Sequence, residues 1–150
     1  MIPITCKLVG DSLTGKLSLA KTYEPTNDFD DTYYKSSMTV FEQFVANVEV
    51  NGQEIDLSIQ TSSGADECEN IRSFGYPGSD VVLICFSIAD RVTFDNVKAN
   101  WIHEVRKHCP TKPLILVGCK SDLRGCATKP TSYTAGAKLA KELKMQKYVE

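Results

Sequence analysis

Residues 10–17 read Gly-Asp-Ser-Leu-Thr-Gly-Lys-Leu, a glycine followed by four residues and then Gly-Lys. That spacing is the signature of a loop that cradles phosphate. Its glycines let the backbone bend so that successive N–H groups converge on anionic oxygens. A helix opening just after Gly15 adds the unpaired N–H groups and positive end of its first turn. Lys16 supplies a full charge for the outer phosphates. The flanks agree, since 2–9 reads as a strand and 17–23 as a helix. Gly10, Asp11, Ser12, Leu13, Thr14, Gly15, Lys16, Leu17 and Ser18 are therefore the candidate phosphate site. One position departs: Leu17 stands where the pattern has a Ser or Thr hydroxyl.

The rest of the chain alternates between strands and helices. In 2–9, Ile4, Cys6 and Leu8 share one face and Val9 the other. Residues 24–38 are rich in Asp, Thr and Tyr without periodicity and read as a surface loop. Its Asp28, Asp30 and Asp31 lack the Gly and terminal Glu of a calcium loop. Residues 41–50 alternate as a strand, Asn51-Gly52 signals a tight hairpin, and 53–59 return antiparallel. Residues 61–78 read as irregular. The run 81–86 is apolar throughout, as in a strand buried on both faces. Residues 93–108 have a helical period with Phe94, Val97, Trp101, Ile102 and Val105 on one stripe, and His103 and His108 on the surface. Residues 114–117 are another buried strand, 118–125 a loop, 135–144 a helix capped by Ser132, and 146–149 a last strand. This order predicts an α/β fold: a mostly parallel sheet with right-handed crossovers, helices on both faces and one antiparallel edge hairpin. In such sheets ligands bind at the carboxyl ends of the strands, where the phosphate loop lies.

A chain of 150 residues, 42% hydrophobic and 24% charged, is the size and composition of a single domain. The net charge of −2 leaves no basic footprint for nucleic acid. Six cysteines are scattered without metal-ligand spacing and read as reduced thiols. The sequence shows no leader, no membrane span and no prenylation box, so the expectation is a cytoplasmic chain without a membrane anchor.

A second signal follows the 114–117 strand: Gly118-Cys119-Lys120-Ser121-Asp122-Leu123. A carboxylate such as Asp122 accepts two hydrogen bonds from the N1–H and 2-amino group of guanine, which adenine does not offer. The Lys120 stem can cover the base or ribose. Lys-x-Asp alone is common. One strand–helix–strand unit after a phosphate loop it is specific, and Cys119, Lys120, Asp122 and Leu123 join the candidate nucleotide site.

With both signals in place the chain resembles a Rho-family small GTPase over nearly its whole length, and within that family the GTPase-deficient Rnd and RhoH branch. The resemblance is carried by Cys6-Lys7-Leu8-Val9-Gly10-Asp11, Thr39-Val40-Phe41-Glu42, Tyr76-Pro77, Leu83-Ile84-Cys85-Phe86-Ser87, Trp101, Glu104-Val105, His108-Cys109-Pro110 and residues 116–124. It implies the P-loop fold of small GTPases, GTP/GDP binding, two switch loops and effector partners. It also implies that Thr39 and Gly64 report on the third phosphate, Thr39 through the metal as well.

The departures from that pattern set the expected chemistry. Leu17 replaces the Mg²⁺-binding hydroxyl. Thr61-Ser62-Ser63-Gly64 stands for Asp-Thr-Ala-Gly, so the Asp of the metal's water shell is an uncharged Thr61. Ala65 stands where the family has the Gln that orients the attacking water. Ser12 would crowd an incoming arginine finger, and Gln60 replaces the Trp between the switches. By resemblance, one last helix would follow Glu150, and without it Ile4, Cys6 or Leu8 would be partly uncovered. The resulting expectation is GTP binding with very slow or absent hydrolysis and weak or no Mg²⁺, alongside a nucleotide-free interaction scaffold. Val40, Phe41, Ile71, Phe74 and Tyr76 are the expected effector surface, with ordinary packing an equal reading for Tyr76.

Overall fold

The structure is a computed structural model that describes residues 1–23 and 40–150. Thr39 and the 24–38 loop lie outside the described residues. In chain order the elements are β1 (Ile2–Val9), α1 (Lys16–Lys21), β2 (Phe41–Val50) and β3 (Gln53–Ser62). A short 3-10 turn, Asp66–Cys68, leads into α2 (Glu69–Ser73) and then β4 (Val81–Ser87). Next, α3 (Arg91–Asn96) runs through a wider π turn, Val97–Trp101, into α4 (Ile102–His108). The chain closes with β5 (Leu114–Cys119), a 3-10 turn Ser121–Gly125, α5 (Tyr133–Glu142) and β6 (Lys147–Val149).

The six strands form one sheet in the order β2-β3-β1-β4-β5-β6. The β2–β3 pair is antiparallel and the other pairs are parallel. Asn51 and Gly52 make the hairpin turn with φ of 53° and 75°, the positive values such a turn requires. β1 takes the centre with β3 and β4 at its sides, so the loop at its carboxyl end opens at the middle of the sheet edge.

Side-chain alternation divides the core into two faces. On one, Val9, Val82, Ile84, Phe86, Leu114 and Leu116 meet Phe94, Val97, Trp101, Ile102 and Val105 of the α3–α4 helix and Leu139 and Ala140 of α5. On the other, Cys6, Leu8, Phe44, Ile59, Cys85 and Val117 pack with Ala20 of α1. Cys6 and Leu8 of the trio expected to lose cover are buried there, packed in one cluster with Ala20 of α1. Of that trio only Ile4 is half-buried. Leu57, Val81, Leu83 and Ile115 are also partly buried, at the margin of this smaller cluster.

Several boundaries differ from the sequence reading. β3 runs on to Ser62, because Thr61 pairs with Leu8 and Ser62 with Phe41. The stretch read as irregular after Gln60 holds the end of a strand and α2; a helix of five residues is too short to show a period. β5 takes in Gly118 and Cys119, which had read as loop. Gly118 is buried, and a Cβ there would come within 2.5 Å of the Tyr148 hydroxyl. Ser132 caps α5 as expected, its side chain accepting from Ala135 N–H at 3.1 Å. His103 is exposed, but His108 is half-buried and stacks on Tyr76 with ring centroids 5.4 Å apart.

Candidate functional site

The loop between β1 and α1 has the backbone its glycines permit. Gly10 and Gly15 have φ of 143° and 112°, and Leu13 is left-handed at 63° with its side chain 85% exposed. A Cβ on Gly10 would stand 2.1 Å from the Cys85 carbonyl oxygen, and one on Gly15 3.2 Å from Cys119 Cβ. These positions exclude side chains because the loop is pressed onto the ends of β4 and β5. Thr14 is fully buried and its hydroxyl donates to the Asp11 carbonyl at 3.1 Å.

Lys16 opens α1 and is 7% exposed. Its Nζ donates to the Gly10 and Asp11 carbonyls at 2.9 and 2.7 Å. Burial lowers its pKa, while Asp11 and the thiols of Cys85 and Cys119 oppose that shift. The amine thus lies folded against the loop carbonyls. Ser18 is exposed on α1, about 100° further round the helix than the position where the pattern has its hydroxyl.

Asp11 belongs to the loop by backbone only. Its carboxylate accepts from Asn96 Nδ2 and from Trp101 Nε1, each at 2.7 Å. In an α-helix residues five apart stand about 140° apart around the axis. The π turn between Asn96 and Trp101 closes much of that angle and lets both donors reach one carboxylate. Nothing in a hydrophobic stripe signals this contact. Trp101 reads as core, and at 4% exposed it is core with a polar handle.

The Lys-x-Asp segment after β5 touches the same loop. Lys120 is left-handed, φ 61°, and its Nζ donates to the Leu13 carbonyl at 2.7 Å. Asp122 and Leu123 follow in the 3-10 turn Ser121–Gly125 with exposed side chains. Cys119 is half-buried beside Gly15, and the Cys85 thiol is the main cause of its lowered pKa. The structure therefore brings Gly10, Gly15, Lys16, Cys119, Lys120, Asp122 and Leu123 to one end of the sheet.

Gly64, just past the end of β3, lies against the loop. A Cβ on it would lie 2.4 Å from the Gly10 oxygen and 2.6 Å from Ser12 N, so its backbone rests on the loop. Arg72, 2% exposed, holds this segment in place. Its Nη1 donates to the Ser63 and Ala65 carbonyls at 2.8 and 2.6 Å. Its Nε and Nη2 form a two-pronged pair with Glu104, each at 2.9 Å. The Tyr76 hydroxyl also donates to Glu104, at 2.7 Å. Burial alone would raise the Glu104 pKa, but the Arg72 and Tyr76 hydrogen bonds outweigh it and hold it low. The sequence reading missed this Arg72–Glu104–Tyr76 cluster, because its members lie 28 and 32 residues apart with no motif between them.

Tyr76 is therefore not part of an exposed partner surface; it is fully buried, by packing and by its bond to Glu104. Val40, Phe41, Ile71 and Phe74 are exposed, by 39%, 43%, 50% and 85%.

Two groups implied by the resemblance can be tested against these residues. A nucleotide's phosphates match the donor chemistry: the glycines put no side chain over the loop backbone, and Lys16 and Lys120 bring two cations to it. A Mg²⁺ ion does not fit the described residues. Leu17 packs with the apolar cluster of Leu8 and Ala20, and buried Thr61 offers a neutral hydroxyl where a hard cation favours a carboxylate. Among the described residues no group of three His, Cys, Asp or Glu side chains could hold a metal, and no helix is long and apolar enough to cross a membrane.

Comparison with known proteins agrees with this geometry. Residues 6–150 match the sequence profile of the Ras family. The chain is similar to Rho-related GTP-binding protein RhoE of Homo sapiens, Mus musculus and Rattus norvegicus, in each case 38% identical over 159 aligned positions. Those alignments cover 98% of this chain and 64% of the relative, so the chain spans less than two thirds of the length of these relatives. With the phosphate loop, the Lys-x-Asp turn and a profile match over nearly all its residues, the chain belongs to the Ras family.

Proposed function

We propose that the chain is a Rho-like, GTP-binding signalling protein that hydrolyses its nucleotide very slowly or not at all. The observation that carries this is the 2.7 Å bond from Lys120 to the Leu13 carbonyl. It ties the guanine-reading turn to a phosphate loop whose own lysine is buried and in place. Similarity to the RhoE proteins, named as Rho-related and GTP-binding, supports the branch. In this reading the loop N–H groups and Lys16 hold the phosphates, and Asp122 accepts from guanine. Val40, Phe41, Ile71 and Phe74 meet effector proteins. Little or no Mg²⁺ takes part, since Leu17 carries no oxygen.

Loss of hydrolysis follows from Ala65. Its methyl group can neither accept from nor donate to an attacking water, and its carbonyl is engaged by Arg72. In intact relatives an arginine finger contributes about 10³–10⁵ in rate, but it acts on an oriented water and a metal-bridged phosphate. Single-turnover hydrolysis with a Rho-type activating protein is expected to stay at background. A rate typical of an intact Rho protein would overturn this.

One observation favours a nucleotide-free scaffold as the second reading. Lys16 is satisfied by protein carbonyls and Gly64 packs on the loop, so the loop keeps its shape by internal contacts alone. The nucleotide content of the purified protein, released by denaturation and separated by chromatography, decides between the two. Guanine nucleotide near one per chain supports the first, and none after saturation with GTP supports the second.

A further inference from the structure

Cys85 and Cys119 lie on the adjacent parallel strands β4 and β5. The register pairs Cys85 with Val117 and Ser87 with Cys119, which puts both thiols on one face of the sheet. Cys85 is buried, whereas Cys119 keeps part of its surface in solvent. The Cys85 S–H donates to the Cys119 sulfur. That bond, with burial, pushes the Cys85 thiol well up, and it is the main cause that brings the Cys119 thiol down. The charges of Lys16 and Lys120 act on Cys119 in the same direction, against its partial burial. The thiolate is the nucleophilic form, so a partly open sulfur with a donor and two cations near it has the surroundings of a reactive cysteine. Two other thiols show the contrast: Cys6 is buried and pushed up to about 11, and Cys109 is buried and donates to the Val105 carbonyl at 3.2 Å. The position is also tight. A Cβ on Gly15 would stand 3.2 Å from Cys119 Cβ and 3.7 Å from its Sγ, so no added group fits between this sulfur and the phosphate loop.

We propose that Cys119 is a modification site: its sulfur reacts with hydroperoxides and other soft electrophiles, and the group it gains presses on the phosphate loop at Gly15 and blocks nucleotide loading. The block rests on the nucleotide-binding reading above; the reactivity does not. With a hydroperoxide, the Cys119 thiolate attacks one peroxide oxygen. The S–O bond forms as the O–O bond breaks, and the leaving oxyanion takes a proton from water. The sulfur is oxidised by two electrons to a sulfenic acid and the peroxide is reduced. A small thiol then attacks that sulfur. The S–S bond forms, the S–O bond breaks and water leaves, giving a mixed disulfide that a thiol reductant reverses. Cys85 is the positioning residue, since its S–H holds the thiolate without itself reacting. The mixed disulfide has only the open end of the sheet to occupy, beside Gly15 and Lys120.

The test labels the intact chain with a limiting amount of iodoacetamide over a range of pH and maps the alkylated peptides. Trypsin, cutting after Lys120 and Arg124, separates Cys119 from Cys126, the exposed thiol that serves as a reference within the same chain. Without nucleotide, Cys119 is expected to react about threefold or more faster than Cys126 at neutral pH, and to reach its plateau at lower pH. Cys85→Val removes the donor and should move that profile to higher pH. Should this variant not fold, the comparison of the two thiols in the parent decides alone. Hydrogen peroxide followed by glutathione is then applied to a Cys126→Ser chain. Uptake of a labelled GTP analogue should fall in step with Cys119 occupancy, read by peptide mass, and dithiothreitol should restore it. A Cys119 no faster than Cys126, or a profile that Cys85→Val leaves in place, overturns the reactive site. Full uptake by a chain whose Cys119 is fully modified overturns the block. A parent chain that takes up no GTP at all overturns the functional reading above, while the labelling rates still decide the site.

Discussion

Single side chains set the local chemistry at the carboxyl end of β1 and within it. At its carboxyl end, Leu17 and Thr61 stand where the family resemblance implies a hydroxyl ligand and a carboxylate. Leu17→Thr with Thr61→Asp returns one hard oxygen and one carboxylate. The pair is expected to raise GTP affinity in the presence of Mg²⁺ and leave it unchanged in a chelator, measured by calorimetry. Mid-strand, Lys7 has its amine pushed down to about 8, by burial first and then by Arg72, with Glu104 opposing. Between about pH 8 and the ordinary 10.5 the unfolded chain then holds more protons than the folded one, so Lys7 makes stability rise with pH across that window. Lys7→Met should remove that rise and stabilise the fold near neutrality by about 1–3 kcal/mol, the usual penalty of an unsatisfied buried group. Denaturant titrations of both chains at neutral and alkaline pH would show it.

Among the elements, the α3–α4 helix shows where sequence reading succeeds and where it stops. The stripe of Phe94, Val97, Trp101, Ile102 and Val105 was legible because a helix repeats its buried face, and all five are buried. The π turn was not, since it depends on where a carboxylate lies some 85 to 90 residues earlier in the chain. The phosphate loop was legible for a related reason: its residues are adjacent in sequence and each glycine answers a local steric demand. The Arg72 clamp had no such local cause. Trp101→Phe keeps the packing and removes one donor from Asp11. It is expected to destabilise the chain by about 1.5–3 kcal/mol, the range for hydrogen bonds to charged groups, with denaturation followed by circular dichroism.

For the molecule as a whole the two faces of the sheet are unequally served. The larger cluster has α3, α4 and α5 over it; the smaller is covered among the described residues mainly by α1, and Leu57, Val81, Leu83 and Ile115 remain part-exposed beside it. Each Å² of apolar area left wet forgoes about 25 cal/mol. The isolated 150-residue chain is expected to bind an apolar dye and to self-associate with rising concentration, seen by light scattering. Leu57→Gln should weaken the association. A monodisperse monomer that leaves the dye dark would show that this margin is too small to matter.

The sequence holds one tryptophan, and it is the residue whose indole N–H grips Asp11 while the Arg72 guanidinium lies 4.9 Å from its ring. One chromophore therefore touches both the phosphate loop and the arginine that holds Ser63 and Ala65. Its emission is a built-in optical gauge of that junction: a ligand that shifts either segment changes the colour or brightness of a single, assigned residue. No dye, tag or second probe is needed to watch this site fill.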